Sequence, residues 1–355
     1  MARVRDDLQQ LSGYHSPQVD ARVRLNTNEA PEAPSAQMMQ RLCDRVSTLP
    51  LHRYPDREAT ELRGRLADRH GVQVGQIHVA NGSNEVLQHV LLAFGGPGRT
   101  AVVFGPSYQM HSQIASITGT TVIDLGRGSD GLIDVADLGD EVPRDVVFVT
   151  SPNNPTGRVE KRSTIVDHVL PWCVEGNALL VIDEAYVEFS MDEYVDLIGT
   201  GHPVLISRTF SKTLALAGVR LGYALAGADI IEGLDLVTLP YHLSALTQAA
   251  GLAALEDTSE LDDRVAMLVR GREQIVHAFS QLGVEYENSH ANFILFAAPD
   301  GRGDELWQQL VRRGVLVRNC SSWPGLAGRL RVTVGAPEDN AMFISALSAA
   351  LKEMT

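Results

Sequence analysis

An apolar run, Val204-Leu205-Ile206, leads directly into the polar stretch Ser207-Arg208-Thr209-Phe210-Ser211-Lys212. The run predicts a buried strand and places Lys212 just beyond its end. A lysine in such a partly desolvated position loses its proton more readily and can form a Schiff base. Ser211 beside it and Arg220 further along are side chains that can bind an anion such as a phosphate. A lone Ser-Lys pair is a weak signal, because most such lysines lie on the surface, so other motifs must support this interpretation.

The composition is that of a globular protein. The chain has 355 residues, of which 44% are hydrophobic and 21% are charged, enough for one large domain or two of ordinary size. Its formal net charge of -14 argues against non-specific binding to nucleic acids or anionic membranes, because both require clustered Lys and Arg. We therefore expect neither a nucleic-acid nor a membrane partner.

The signals for cellular location are few. The N-terminus has a basic start with no apolar stretch behind it, which argues against a secretory signal, and no run is apolar enough to span a bilayer. Three cysteines, Cys43, Cys173 and Cys320, lie far apart with no paired spacing. They are typical of reduced thiols and predict neither a disulfide framework nor a metal site. We therefore expect a cytoplasmic protein.

Short apolar runs alternate with helical patterns along the first two thirds of the chain. Seven of these runs predict strands, at 77–80, 101–104, 121–125, 146–150, 178–182, 204–207 and 221–226. The β-branched run at 146–150 is typical of a strand buried on both faces, and strands that alternate with helices form a largely parallel sheet. The sequence therefore predicts an α/β fold that binds its ligands at the carboxyl ends of the strands.

Three regions of the chain differ in pattern. Residues 1–35 contain several Gly and Pro residues and predict an extended arm with at most one short helix. Residues 36–240 hold the alternating pattern and form the predicted large domain. Beyond Pro240, two long helical segments precede three short strands and a final helix. We expect residues 241–355 to form a small α+β domain.

Polar clusters follow the predicted strands at the edge where ligands bind. Asp183 ends a buried run, where its carboxylate requires a positive partner; a structural ion pair is the alternative to a ligand. Asn154 and Tyr186 can both hydrogen-bond an oxygen anion, although turn and core roles are common for these residue types. Gly82-Ser83-Asn84 opens a helix, where free N–H groups bind phosphate or the serine simply caps the helix. Tyr108 can stack on a flat ring.

Together, these groups match one cofactor. Pyridoxal 5'-phosphate would use all of them. It needs an amine for a Schiff base, a carboxylate for its pyridinium nitrogen, two donors for its phenolate and a binding site for its phosphate. The sequence also resembles the fold-type I aminotransferases over nearly its whole length, in particular the histidinol-phosphate aminotransferase family of actinobacterial type. The motifs that carry the resemblance are Asn26-Thr27-Asn28-Glu29, Tyr54-Pro55-Asp56, Asn81-Gly82-Ser83-Asn84-Glu85, Pro106-Ser107-Tyr108, Pro152-Asn153-Asn154-Pro155-Thr156-Gly157, Asp183-Glu184-Ala185-Tyr186, Arg208-Thr209-Phe210-Ser211-Lys212, Pro240-Tyr241-His242-Leu243-Ser244, Ala291-Asn292-Phe293 and Leu330-Arg331-Val332-Thr333. The family fold is a large domain with a mostly parallel seven-stranded sheet and a small C-terminal α+β domain.

The resemblance implies a role for each matching residue. Lys212 binds the cofactor covalently and moves the proton during the reaction, Asp183 contacts the ring nitrogen, and Asn154 and Tyr186 contact the phenolate oxygen. The other implied cofactor contacts are the stacking partner Tyr108 and the phosphate ligands Ser83, Asn84, Ser211, Arg220 and, from a second subunit, Tyr54. The implied substrate contacts are Arg318, Arg331 and, in the N-terminal arm, Tyr14 and Asn28. Because Tyr54 and the arm then act across an interface, the resemblance implies a homodimer.

The reaction implied by the resemblance is an exchange between histidinol phosphate and 2-oxoglutarate, which yields imidazole acetol phosphate and glutamate in histidine biosynthesis. Two arginines suit these substrates, because a guanidinium group binds phosphate and carboxylate alike. Ala30 and Asn319 depart from the family pattern in regions expected to contact the substrate. An aminotransferase for aromatic or specialised-metabolism amines and a lyase on the same scaffold therefore stay open. A regulatory domain is disfavoured, because fewer than about 30 residues precede the first motif and leave no room for a DNA-binding module.

Overall fold

The computed structural model describes residues 2–9, 13, 19–190 and 192–354, and in these residues eleven strands form two sheets. The strands are β1 (Val23–Leu25), β2 (Ile77–Ala80), β3 (Thr100–Val103), β4 (Thr121–Asp124), β5 (Val146–Thr150), β6 (Leu179–Asp183), β7 (Val204–Thr209), β8 (Gly222–Ala226), β9 (Phe293–Ala297), β10 (Val315–Asn319) and β11 (Arg329–Thr333). The larger sheet has seven strands in the order β2-β8-β7-β6-β5-β3-β4. In it, β8 runs antiparallel to both neighbours and the other pairs are parallel. The predicted α/β fold with a mostly parallel seven-stranded sheet is confirmed.

The central strands of this sheet are buried on both faces. Every residue of β5, β6, β7 and β8 is buried. Val147 packs on one face in a cluster with Leu62, while its neighbour Val146 packs on the other face in a cluster with Val86. Because successive side chains of a strand point to opposite faces, two-sided burial requires an unbroken apolar run. This is why the strands could be recognised from the sequence.

The helices pack around the two sheets. They are α1 (Ala36–Ser47), α2 (Thr60–His70), α3 (Ser83–Ala93), α4 (Met110–Thr118), α5 (Arg162–Thr164), α6 (Leu170–Glu175), α7 (Ala228–Asp235), α8 (Ala245–Leu255), α9 (Ser259–Leu282), α10 (Gly303–Arg312) and α11 (Pro337–Met354). The sequence analysis did not predict α7, although its buried residues Ile230, Ile231 and Leu234 have helical spacing. None of the helices in the described ranges is long and apolar enough to cross a bilayer.

The smaller sheet has four strands in the order β1-β10-β11-β9. β1 pairs in parallel with β10, where Val23 lies opposite Val315, and the other pairs are antiparallel. The predicted arm therefore contributes an edge strand, which the sequence analysis did not foresee. Val23 and Leu25 are buried in the core of this sheet, and their apolar surface accounts for the docking of so short a strand.

The division into residues 1–35, 36–240 and 241–355 stays a prediction. α8 lies beyond residue 240 but packs against α1 and α2. Its residues Leu252 and Ala253 belong to the core of the larger sheet, whereas Leu268 and Ile275 of α9 belong to the core of the smaller one. The chain thus stays with the larger sheet through α8 before it enters the smaller unit.

The carboxyl ends of β5, β6 and β7 lie side by side. Thr150 pairs with Asp183, and Asp183 pairs with Ser207 on the next strand. The segments that follow these strands carry Asn154, Tyr186 and Lys212. Parallel strand order therefore brings residues that are distant in the sequence to one edge of the sheet.

Candidate active site

A cavity of about 310 Å³ lies at this edge, with residues of both sheets in its walls. Every predicted site residue in the described part of the chain, other than Tyr54, lines it: Asn28, Ser83, Asn84, Tyr108, Asn154, Asp183, Tyr186, Ser211, Lys212, Arg220, Arg318 and Arg331. The predicted contact Tyr14 lies outside the described residues. Thr27, Glu29 and Trp323 also line the cavity, and the sequence analysis did not assign them a contact.

Lys212 follows β7 and is half-buried in the cavity wall. Its Nζ donates to the carbonyl oxygen of Thr27 at 3.5 Å and lies 5.6 Å from the centre of the Tyr186 ring. The neighbouring Ser211 is buried, and its hydroxyl accepts a hydrogen bond from Thr209 at 3.0 Å. These two contacts of Nζ are with a backbone carbonyl and an aromatic ring, and neither is with a carboxylate. This environment suits a lysine that forms a Schiff base.

Asp183 ends β6 and is bonded at both carboxylate oxygens. Oδ2 lies 3.2 Å from Nε2 of His111, and Oδ1 accepts the backbone N–H of Ala185 at 3.2 Å. His111, in α4, stacks on Phe148 with ring centroids 4.6 Å apart. Its Nδ1 is buried and has no hydrogen-bond partner within the described ranges. The sequence analysis missed His111, although its place about one helical turn after Tyr108 was a usable signal.

The first turn of α3 forms a cup with Arg220. Gly82 precedes the helix with a φ of 87°, and a Cβ on it would lie 2.6 Å from Nη2 of Arg220. A Cβ on Gly222 would lie 2.3 Å from the backbone nitrogen of Ser83. The two glycines therefore let Arg220 and β8 approach the helix closely. Free N–H groups at Ser83 and Asn84, together with the helix dipole, favour an anion there.

Tyr108 lies beside this cup. Its hydroxyl donates to Oδ1 of Asn84 at 3.0 Å. Its ring meets the ring of His111 edge to face, with centroids 5.5 Å apart. These contacts fix the ring in the cavity wall, where it can stack on a flat ligand.

Asn28 connects the arm to Tyr186, which follows β6, and to the end of β11. Its Nδ2 donates to the hydroxyl of Tyr186 at 2.9 Å. Thr333, the last residue of β11, donates to Oδ1 of Asn28 at 3.0 Å and accepts its backbone N–H at 3.0 Å. Asn28 has a φ of 56°, a left-handed conformation that Asn adopts more readily than most residues. The predicted substrate contact thus reaches the cavity with its side-chain amide already bonded.

Two arginines face the cavity from the smaller sheet. Arg318 of β10 lies opposite Arg331 of β11, and the two are only 6% and 5% exposed. Arg331 donates to the side chain of Asn154 and to the carbonyl oxygen of Asn26, but its Nε has no hydrogen-bond partner among the described residues. The guanidinium of Arg318 lies 5.5 Å from the ring centre of Trp323. Because like charges opposite each other in a sheet repel, this pair favours an anionic ligand.

A buried ion pair lies next to Asp183. Glu184 accepts hydrogen bonds from Nε of Arg208 at 2.8 Å and from the backbone N–H of Tyr194 at 2.9 Å. Burial raises the pKa of Glu184 to about 7, while the positive charge of Arg208 opposes the rise. The pair joins the carboxyl ends of β6 and β7 and so supports the positions of Asp183 and Lys212. The sequence analysis did not assign it a role.

Tyr54 lies away from the cavity of its own chain. Its side chain is 80% exposed, and its ring stacks on that of Tyr241 with centroids 4.6 Å apart. Leu51 and Leu239, which are close to these tyrosines in the chain, are also exposed. The stacked tyrosine pair therefore lies at the surface of this chain.

Comparisons with known proteins agree with this geometry. The family model described as aminotransferase class I and II matches residues 21–347. The chain is 43% identical over 365 residues to the histidinol-phosphate aminotransferase of Streptomyces avermitilis, covering 99% of this chain and 97% of the relative. It is 42% identical over 355 residues to that of Thermobifida fusca, covering 97% and 94%. The solved structure of histidinol-phosphate aminotransferase from Sinorhizobium meliloti, in complex with pyridoxal-5'-phosphate, is 21% identical with a TM-score of 0.88, covering 100% and 99%.

The chain therefore belongs to the aminotransferase class I and II family. Within that family, the relatives that it matches over nearly their full length include histidinol-phosphate aminotransferases of actinobacteria. The resemblance stated from the sequence motifs is confirmed, as is the fold-type I architecture.

The cofactor of this enzyme class, pyridoxal 5'-phosphate, fits the cavity. The cup at α3 is closed to any side chain on Gly82 and combines helix N–H groups with a guanidinium. Asp183 presents a buried carboxylate for a positively charged ring nitrogen, and Lys212 presents an amine in the same cavity. The chain is a pyridoxal-phosphate-dependent aminotransferase.

Proposed function

We propose that the protein transfers the amino group of histidinol phosphate to 2-oxoglutarate, which yields imidazole acetol phosphate and glutamate in histidine biosynthesis. The names of the relatives supply the donor, and the pairing of Arg318 with Arg331 is the structural observation that carries the proposal. Each substrate has an anionic group near its reacting carbon, a phosphate ester in one and a carboxylate in the other. Two adjacent guanidinium groups can bind either of them in bidentate fashion.

The phosphate of the cofactor belongs in the cup. We assign it to the helix N–H groups and side chains of Ser83 and Asn84, to the hydroxyl of Ser211 and to the guanidinium of Arg220. Gly82 leaves room for the guanidinium of Arg220, which a larger residue at position 82 would displace. This close approach supports the assignment. Helix dipole and arginine charge act together on one anion.

The ring of the cofactor belongs between Tyr108 and the strand ends. Asp183 would hold a proton on the ring nitrogen, because a buried carboxylate favours a positive partner. His111 positions Asp183 through its 3.2 Å contact. Asn154 and Tyr186 would contact the phenolate oxygen. When bound, the cofactor supplies an electron-poor ring that accepts the electrons released at the α-carbon of the donor.

Lys212 would bind the cofactor covalently and then act as the base. Its Nζ, held near the carbonyl oxygen of Thr27, would remove the proton from the α-carbon of the donor. Tyr186 lies beside this amine and would donate its hydroxyl proton to an oxygen anion in the cavity.

The active unit in this proposal is a homodimer. Tyr54 is exposed and stacked on Tyr241, and it would reach the cofactor phosphate in the site of a second subunit. Tyr14 and the arm would cover the substrate. The cytoplasmic location is part of the proposal and rests on the absence of pairing between Cys43, Cys173 and Cys320.

A half-reaction tests the donor. Histidinol phosphate is added to the purified enzyme loaded with pyridoxal phosphate, without any keto acid, and the visible absorbance of the cofactor is followed. We expect the absorbance to disappear and to return when 2-oxoglutarate is added, and we expect no change in Lys212→Ala. Conversion by phenylalanine but not by histidinol phosphate would assign the enzyme to aromatic donors instead. Repeated turnover of histidinol phosphate without 2-oxoglutarate would indicate a lyase.

Mixed dimers test the shared site. One chain carries Lys212→Ala and the other Tyr54→Ala, and the two are co-expressed with different tags. If Tyr54 acts across the interface, the mixed dimer has one intact site, with Lys212 from one chain and Tyr54 from the other. It should then be far more active than either variant alone. Activity no higher than the sum of the two variants would place Tyr54 outside the shared site.

A further inference from the structure

The hydroxyl of Tyr186 is held by a chain of hydrogen bonds that begins in the smaller sheet. Thr333 accepts the backbone N–H of Asn28 and donates its own hydroxyl proton to Oδ1 of Asn28, both at 3.0 Å. The side-chain amide of Asn28 therefore turns its nitrogen, Nδ2, toward Tyr186 and donates a hydrogen bond to the tyrosine hydroxyl oxygen at 2.9 Å. Asn292 fixes the same residue from another side by donating to the carbonyl oxygen of Asn28 at 3.2 Å.

The direction of these hydrogen bonds decides whether the Tyr186 hydroxyl can donate its proton to a ligand. A tyrosine hydroxyl has one proton to donate and also accepts hydrogen bonds. Since Asn28 donates to its oxygen, the proton of Tyr186 stays available for another acceptor. Lys212 lies near the ring on the cavity side. A hydroxyl that accepts one hydrogen bond also becomes a stronger donor, because hydrogen bonds in a chain polarise one another.

We infer that Asn28 is a positioning residue that orients the Tyr186 hydroxyl as a donor toward an anionic oxygen in the cavity. Asn28 is 1% exposed, and its amide oxygen and amide nitrogen are both engaged by Thr333 and Tyr186. This assignment differs from the direct substrate contact expected from the sequence. It rests on the proposed role of Tyr186 at the cofactor and not on the identity of the amino donor.

The inference predicts a shift in the pH titration of the bound cofactor. A hydrogen bond to an oxygen anion stabilises the deprotonated form and lowers the pKa of the group that carries it. Tyr186→Phe removes the donor and should raise the titration midpoint by about 1 pH unit, the size expected for one charge-assisted hydrogen bond. Asn28→Ala leaves the donor in place but without its orientation, and should raise the midpoint by about half as much.

The measurement is the visible absorbance of the enzyme loaded with pyridoxal phosphate, followed against pH without substrate. The decisive comparison is the double variant Asn28→Ala with Tyr186→Phe. Its midpoint should equal that of Tyr186→Phe alone, because Asn28 acts only through the tyrosine hydroxyl. Equal shifts from Asn28→Ala in both backgrounds, or no shift in either, would overturn the inference.

Two further variants complete the test. Thr333→Val preserves the shape of the side chain but removes the hydroxyl that fixes the amide, and should shift the midpoint upward by less than Asn28→Ala does. It also tests the inference if Asn28→Ala folds poorly. Asn26→Ala is the matched control, because Asn26 is a buried residue of the same segment whose backbone carbonyl, not its side chain, accepts from Arg331. Its midpoint should stay at the wild-type value, and an upward shift as large as that of Asn28→Ala would contradict the inference.

The outcome is independent of the donor assignment. The titration uses no substrate, so an enzyme that ignores histidinol phosphate can still show the Asn28 shift. Conversely, an enzyme that converts histidinol phosphate but shows no shift in Asn28→Ala keeps its proposed function and loses this inference. Failure of Tyr186→Phe to shift the midpoint would instead remove the proposed cofactor contact of Tyr186, on which the inference rests.

Discussion

Because Arg318 and Arg331 are adjacent, we predict that the repulsion between their charges lowers the free energy of unfolding of the substrate-free enzyme. We expect Arg318→Met to lower activity and at the same time to raise the free energy of unfolding. Both arginines are almost fully buried and lie opposite each other on neighbouring strands. Methionine removes one charge but keeps an unbranched apolar side chain, so the change in packing is small.

The magnitude follows from charge separation and burial. Two unit charges about 6 Å apart repel by about 3 kcal/mol at an effective dielectric constant of about 20. Loss of the contacts that Arg318 makes, among them the contact with Trp323, offsets about 1–2 kcal/mol of this gain. The variant should therefore be more stable by about 1–2 kcal/mol. Loss of a charge-assisted hydrogen bond to the substrate costs about 1.5–3 kcal/mol, or roughly 10- to 200-fold in kcat/KM.

The assay is urea unfolding of the enzyme loaded with pyridoxal phosphate, in a buffer free of multivalent anions, alongside steady-state kinetics. Arg318→Lys is the control, because it keeps the charge and should not gain stability. Inorganic phosphate should stabilise the wild type more than Arg318→Met, since it binds the folded state through both arginines. The reasoning is refuted if Arg318→Met is less stable than Arg318→Lys without anions, or if its kcat/KM is unchanged.

Two further predictions concern the cup and the pH dependence of stability. Gly82→Ala should weaken binding of pyridoxal phosphate at least tenfold, roughly 1.4 kcal/mol, because its Cβ meets Arg220. In the control Gly71→Ala, φ is also positive but the new Cβ would meet no other described residue within 4 Å, so only stability should fall. Equal cofactor affinities of Gly82→Ala and the wild type, measured by titration, would contradict this. Burial, reinforced by the charge of Arg208, lowers the pKa of His70 from 6.5 to about 3. As the pH falls below 6.5, His70 is therefore protonated in the unfolded chain before it is protonated in the folded one. The free energy of unfolding then decreases by up to about 1.4 kcal/mol per pH unit. His70→Asn should flatten this loss between pH 6.5 and 4.5 in urea unfolding, and an unchanged slope would refute the assignment.

Sequence reasoning recovered the sheet because its signals are local. The run at 146–149 is apolar at every position, as a strand buried on both faces requires. The lysine, the aspartate and the Gly-Ser-Asn turn were found for the same reason, since each follows such a run directly. β1 was not predicted, because a three-residue strand has too short an apolar pattern to differ from that of a loop. α7 was not predicted either, although the spacing of its apolar residues is helical.

Residues that act through a neighbour could not be found in this way. His111 contacts Asp183, which is 72 positions further along the chain, and Asn28 contacts Tyr186 at a separation of 158. The sequence shows that these are polar residues near motifs, but it does not show that they lie within hydrogen-bond distance of each other in space. The substrate contact of Asn28 was implied by the resemblance and stays a prediction, and its hydrogen bonds with Tyr186 and Thr333 are known only from the structure.

The sequence by itself determined the fold class, the cofactor and most of the cavity wall, because strand periodicity and the residues at strand ends are properties of short segments. The tertiary structure decided how the side chains pair: two buried arginines on facing strands, a histidine behind the aspartate, and an asparagine of the arm behind the tyrosine. Such pairs depend on the order and register of strands that are far apart in the chain. Register is fixed only when the faces of the sheets are buried together, so no segment carries this information alone.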